Sequence, residues 1–306
     1  MNSKLTWLIL LFAILSVSVK ALDKKITTSD GVELFVTIKG EGIPCLYIHG
    51  GPGSGAYWLE AFSGEMLETK FKMIYLDQRG VSRSASAANK DYSLNRMLLD
   101  FEEVREALGI NKWLVMGHSF AGGIQTTYAS KYPNAIAGMM MLNGTVNITE
   151  SLNGVIAYAS SRIPASATEE LNVENTSLMQ KMMTAHRVLG EDVYKMYYKE
   201  KSSSDTMNSV MSRISNWNWQ FASEVEKFPE YFGDFTPLTR TVKVPVLVFS
   251  GKTDYAIGPE HYKLIQFPSQ MLVRADCGHL PFLEARQELE NAITQYLNKY
   301  FPKRVI

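Results

Sequence analysis

Short apolar runs that end in glycine or small polar residues alternate with stretches of helical periodicity along most of this chain. That alternation limits the folds open to it. Lys24–Thr28, Glu33–Lys39, Pro44–Ile48, Lys72–Leu76, Trp113–Met116, Ala137–Leu142, Val244–Phe249 and Met271–Arg274 read as strands. Leu94–Leu108 spaces its apolar residues by threes and fours and stops at Gly109, a residue suited to a left-handed helix end. Phe120–Lys131, Pro259–Ile265 and Leu283–Tyr300 also read as helices. Apolar strands joined through helices imply a mostly parallel, doubly wound sheet of the α/β class, covered on both faces. In such a sheet the chemistry gathers at the carboxyl ends of the strands.

The rhythm fails between residues 145 and 240. That stretch is rich in Met, Ser, Asn and Lys, and its patterns are helical: Met179–Val188, Glu191–Glu200 and Met207–Trp219. It reads as an inserted helical cap, which leaves 22–144 and 241–306 as the core. The N-terminus is a further unit. Lys4 precedes an apolar run from Leu5 to Val19, and Val19-Lys20-Ala21 offers a cleavage site. Residues 1–21 read as a signal peptide, so the mature chain is expected to be exported, periplasmic or secreted, with no stable membrane span after cleavage. An uncleaved signal that anchors the chain to a membrane is the alternative.

The 306 residues carry 31 basic and 31 acidic side chains. No basic stripe points to nucleic acid, and no acidic tail points to a solvating segment. Cys45 and Cys277 fall near different strands and read as free thiols. No Cys/His cluster has metal-ligand spacing, and no metal or cofactor is implied. The sequons at Asn143, Asn147 and Asn175 matter only in a host that glycosylates them.

The loops after the strands carry the chemistry. After Trp113–Met116 comes GHSFAGG, Gly117 to Gly123. A serine in a tight strand-to-helix turn has its hydroxyl forced outward at the positive end of a helix. The usual pattern is G-x-S-x-G; Ala121 takes the last position here and is still small. Ser119 is therefore the candidate nucleophile. A serine needs a base, and the base needs an orienting acid. Of the five histidines, His279 alone sits in a late strand-to-helix loop and is the candidate base. His118 is expected to point away from Ser119, and His186 and His261 to be surface or cap residues. Asp254, after the preceding strand, completes the order Ser…Asp…His and is preferred as acid over Asp276, which is too near His279 in sequence. The run YIHGGPGSGAYW, Tyr47 to Trp58, then has a use. Acyl transfer needs backbone N–H groups aimed at a developing oxyanion, and glycines let backbone approach substrate. Gly51 and Phe120 are the candidate donors. A phosphate cradle is disfavoured, since no G-K-[ST] follows and no helix is expected to open there.

HGGPG (49–53), DQRG (77–80), GHSFAGG (117–123) and the Asp254 and His279 loops resemble the α/β-hydrolase fold. They look most like its proline iminopeptidase (prolyl aminopeptidase) branch, over roughly residues 24–143 and 241–301. The resemblance implies removal of an N-terminal proline, or another small apolar residue, from a peptide. That branch places a Glu after a cap tryptophan to hold the substrate amine; NWNWQ supplies Trp217, Trp219 and then Gln220. These three are the candidate substrate-binding residues. A neutral amide cannot pair with an ammonium as a carboxylate does. Glu169, Glu170, Glu174 and Glu224 are possible substitutes. The expectation is an exported serine aminopeptidase acting on small peptides. A carboxylesterase or lactonase acting on small esters is the alternative, and a ligand receptor that keeps the triad is a third reading. Asp77 and Arg79 are expected to brace the loops. The sequence does not speak to oligomeric state.

Overall fold

The computed structural model describes residues 21–171 and 176–303. The expected signal peptide lies outside the described residues, apart from Ala21. In chain order come β1 (Leu22–Thr27), β2 (Glu33–Lys39), β3 (Ile43–Ile48), α1 (Tyr57–Glu68), β4 (Phe71–Leu76), α2 (Leu94–Ala107), β5 (Trp113–His118), α3 (Ala121–Lys131) and β6 (Ile136–Leu142). Helices α4 (Ile148–Ser160), α5 (Ala165–Leu171) and α6 (Leu178–Leu189) follow, then shorter helical segments up to Thr239. The chain returns to the sheet as β7 (Val246–Gly251) and β8 (Gln270–Ala275), and a helix spans Arg286–Tyr300.

The strands form one eight-stranded sheet in the order β1-β2-β4-β3-β5-β6-β7-β8. β2 is antiparallel to both neighbours, and the other pairs are parallel. Period-2 alternation divides the buried side chains between two cores. On β5, Trp113 and Val115 enter the core beneath α2 and α3, while Leu114 and Met116 enter the core shared with α1 and the Arg286–Tyr300 helix. On β7, Val246 and Val248 take the first side, Leu247 and Phe249 the second. The segment between β6 and β7 has a smaller core of its own, including Val155, Tyr158, Leu171, Ala185 and Met196. No helix among the described residues is long and apolar enough to cross a membrane.

Local expectations needed correction in three places. A helix does follow the glycine loop: α1 buries Leu59, Ser63, Gly64 and Leu67. Two of those four contacts are small residues, so no stripe of large side chains betrays the helix. Ser63 donates to the Phe282 carbonyl at 2.7 Å, which suits close approach. Within 191–219 the helices are shorter than the patterns suggest. A break at Tyr198–Glu200 precedes the helix Lys201–Met211, and Trp217 and Trp219 lie beyond its end. The expected helix at 259–265 reduces to one tight turn, His261–Leu264.

Candidate active site

β5 ends at His118, and α3 starts at Ala121. Ser119 lies between them at φ 58°, left-handed backbone that is strained for a non-glycine residue, and it lines a cavity. The turn closes only because its neighbours are small. A Cβ on Gly50 would come within 2.8 Å of the Ser119 Cβ, and one on Gly122 would lie 2.2 Å from the Thr145 carbonyl oxygen. Ala121 is buried without such a clash, so the tight contact falls one residue after the position G-x-S-x-G reserves for glycine.

The structure brings Ser119, His279 and Asp254 into one hydrogen-bonded line. The Ser119 Oγ is 2.8 Å from the His279 Nε2, and the His279 Nδ1 is 2.9 Å from the Asp254 Oδ2. Asp254 is buried, and its other oxygen accepts the N–H groups of Ala256 at 3.0 Å and Ile257 at 3.4 Å. Asp276 is at the surface, paired with Lys199 at 2.6 Å. The His279 loop is held by its backbone N–H, donated to the Tyr197 carbonyl at 2.6 Å. Asn143, at the end of β6, ties two loops: its amide donates to the Gly278 carbonyl, and its oxygen accepts from the Gly251 N–H. Asn143 is thus a buried brace at the heart of a sequon.

The glycine loop is braced from the DQRG turn. The Gln78 N–H is donated to the His49 Nε2, and the Gln78 side-chain amide donates to the His49 carbonyl. That leaves the His49 Nδ1–H to donate to the Gly50 carbonyl at 3.0 Å. Asp77 accepts from the Ala56 N–H at 2.8 Å and pairs with Arg83. Arg79, fully buried, is held by Asp100 and Asp30. Gly51 and Phe120 both face the cavity next to Ser119. Among the described residues, neither of their backbone N–H groups has a protein acceptor.

The cavity has a volume of about 350 Å³ and is mostly apolar, with Trp58, Ile148, Leu152, Met182, Phe232 and Ile257 on its walls. No Asp, Glu, Lys or Arg among the described residues lines it. Trp217, Trp219 and Gln220 are not on its wall. Trp217 instead donates its Nε1–H to the Gly53 carbonyl at 3.1 Å and covers Gly55, so it fastens the cap to the glycine loop. Trp219 packs against Trp217 with ring centres 5.7 Å apart and planes tilted by 33°, and is half exposed. The Gln220 amide donates to Glu224, which also pairs with Lys227. Glu170 pairs with Arg187 at the surface, Glu169 is exposed, and Glu174 lies outside the described residues.

His261 behaves differently from expectation, and His118 lies beside His279. His118 lines the cavity, its ring 4.7 Å from that of His279, and its Nε2–H donates to the His279 carbonyl at 2.8 Å. Burial, and then the neighbouring His279, hold its pKa well below the usual imidazole value. His261 is buried rather than on the surface, and its Nε2 accepts the Val146 N–H at 3.0 Å. Burial lowers its pKa to about 4, with Asp254 opposing. The cue available in sequence was a lone His in the same strand-to-strand connection as Asp254. His186 contacts the Tyr197 hydroxyl at 2.7 Å. Cys45 and Cys277 are free and buried, and burial pushes both thiols up, so Cys277 packs beside the site as an inert side chain. No group of three or more metal-ligating side chains occurs among the described residues.

Buried neutral imidazoles make stability depend on pH. In the unfolded chain a histidine titrates near 6.5. Below that pH the unfolded state takes up a proton that the folded His261 refuses, so the stability present in full above pH 6.5 declines as pH falls toward about 4. Between pH 6.5 and 5, His261 alone is expected to remove about 2 kcal/mol. Urea unfolding across that interval measures it. A flat profile would contradict the neutral, buried assignment.

Known proteins share this architecture. A family model for the alpha/beta hydrolase fold matches residues 44–286. Proline iminopeptidase of Neisseria meningitidis serogroup A is 36% identical over 102 residues, 33% of this chain and 32% of that protein. The match therefore spans about a third of that relative. Lipase 1 of Psychrobacter immobilis is 26% identical over 277 residues, 87% of this chain and 80% of the lipase. The crystal structure of a proline iminopeptidase-related protein from Thermus thermophilus superposes with a TM-score of 0.75 at 20% identity, covering 92% of this chain and 99% of that one.

Proposed function

Because this chain belongs to the alpha/beta hydrolase fold family, we propose that it is a serine hydrolase whose substrates are neutral acyl compounds, small carboxylic esters or lactones. Ser119 attacks the acyl carbonyl while His279 Nε2 takes its proton, and Asp254 holds the Nδ1–H and stabilises the imidazolium. The N–H groups of Gly51 and Phe120 receive the oxyanion. The proton then passes from His279 to the leaving alkoxide, and the acyl group stays on Ser119. Water, deprotonated by the same imidazole, releases the acid.

One observation carries the choice of substrate. An aminopeptidase must desolvate a substrate ammonium, and an ammonium buried without a carboxylate is strongly disfavoured. No Asp or Glu among the described residues lines the cavity, and Glu224, beside Gln220, is occupied by Lys227. The lipase match over most of the chain favours the same reading. The aminopeptidase reading is kept second, on the strength of the 36% identity to the proline iminopeptidase. It requires an amine-binding carboxylate from elsewhere, such as Glu174.

The test compares p-nitrophenyl butyrate with a proline arylamide. The ester is expected to be cleaved at least a hundredfold faster than the arylamide, judged by kcat/KM after each rate is divided by its uncatalysed rate. Preferential cleavage of the arylamide, abolished by N-acetylation, would reverse the order of the two readings. Export through residues 1–21 belongs to the same proposal and is checked by the N-terminal sequence of the mature protein.

A further inference from the structure

Behind the nucleophile, the cavity wall includes two hydroxyl groups, Thr145 and Ser151, both buried. Thr145 directly adjoins the catalytic turn: its backbone N–H is donated to the Ser119 carbonyl at 3.0 Å. The two side-chain oxygens are 2.8 Å apart. The Thr145 Oγ1 also accepts the Asn147 N–H at 3.3 Å, and the Ser151 Oγ lies 3.4 Å from the His261 Nδ1.

The direction of these bonds follows from His261. Its Nε2 accepts a backbone N–H, so the neutral ring carries its proton on Nδ1 and donates it to Ser151. The ring therefore cannot accept a hydroxyl proton. Thr145 and Ser151 together have two hydroxyl protons, and only one can be used between them. The second has no protein acceptor among the described residues. Whichever hydroxyl carries it, the remaining donor belongs to a residue that lines the cavity. A buried donor without an acceptor is costly, and a ligand oxygen that meets it relieves the cost.

We propose that Thr145 and Ser151 form a donor subsite that selects acyl substrates bearing a neutral acceptor oxygen, an ether, ketone or second ester, away from the scissile carbonyl. It rests on, and deepens, the serine hydrolase reading. The oxygen is neutral because no Lys or Arg among the described residues lines the cavity to match a carboxylate. His261 is a positioning residue here: it sets the polarity of the pair without touching the ligand.

The test uses p-nitrophenyl hexanoate and its isosteres in which an ether oxygen replaces one methylene at successive chain positions. Each rate is divided by that of hydroxide-catalysed hydrolysis, which removes intrinsic reactivity. At least one isostere is expected to exceed the all-carbon ester by about tenfold in kcat/KM, the effect of one neutral hydrogen bond. The preference should vanish in the double variant Thr145→Val/Ser151→Ala, because either hydroxyl alone can carry the spare proton. If that variant does not fold, Thr145→Val/Ser151→Cys, with only a weak thiol donor, replaces it. No preference in the parent enzyme, or a preference that survives in the folded double variant, overturns the proposal. Dissociation constants for the same series on Ser119→Ala read the subsite without turnover. If the parent hydrolyses none of the esters, the hydrolase reading fails while these constants still decide the subsite.

Discussion

A Ser119→Ala enzyme is expected to hydrolyse p-nitrophenyl butyrate about 10⁵- to 10⁶-fold more slowly than the parent in kcat, because loss of the nucleophile disables the whole relay. The substitution removes one oxygen. It keeps the Cβ that packs against Gly50 and leaves the backbone bonds from Gly122 and Thr145 to the residue 119 carbonyl. The urea midpoint should therefore stay close to that of the parent. His279 keeps its bond to Asp254 but has no hydroxyl to deprotonate. What survives is the catalysis that the two backbone donors and the cavity supply to attack by water. Activity within tenfold of the parent, in a folded protein free of contaminating esterase, would place the nucleophile elsewhere.

Asp254→Asn should cost about 10⁴-fold in kcat, and the local geometry says why. Two backbone N–H groups, from Ala256 and Ile257, point at the Asp254 Oδ1 and demand an acceptor there. An asparagine at this position must turn its carbonyl oxygen toward them, which puts its NH₂ where the Oδ2 now meets the His279 Nδ1. The imidazole then accepts at Nδ1 and carries its proton on Nε2. In that tautomer it cannot take the proton from Ser119. The variant should fold normally, since both backbone donors remain satisfied, and its deficit should appear in kcat far more than in KM. A loss of less than tenfold would show that Asp254 does not orient the base.

Both expectations are reachable from sequence because Ser119, Asp254 and His279 each follow a strand directly. Their placement depends on a turn of a few residues, and the parallel sheet lines up the strand ends. Glycines that are sterically required, such as Gly50 and Gly122, are visible for the same reason: backbone crowding in a turn is local. The cap follows no such rule. Trp217 and Trp219 suggest a substrate site because they adjoin Gln220, yet Trp217 is a fastener on the Gly53 carbonyl, 164 residues away in sequence. His261 sits in a tight turn after β7 but acts on Val146 and Ser151, across the junction between sheet and cap. α1 escapes a sequence reading because its contacts with the Phe282 region need smallness, and smallness leaves no periodic signal.

Hydrophobic period and turn chemistry operate over a handful of residues, so the sequence by itself determined the sheet, the order of the motifs and the atoms offered at the strand ends. Only the tertiary structure decided which polar groups meet in the cavity, which of the described carboxylates stay off its wall and which way the proton points on His261. The contacts of His261 with Val146 and Ser151, and of Trp217 with Gly53, join segments more than a hundred residues apart, and their geometry follows from how the cap packs on the core.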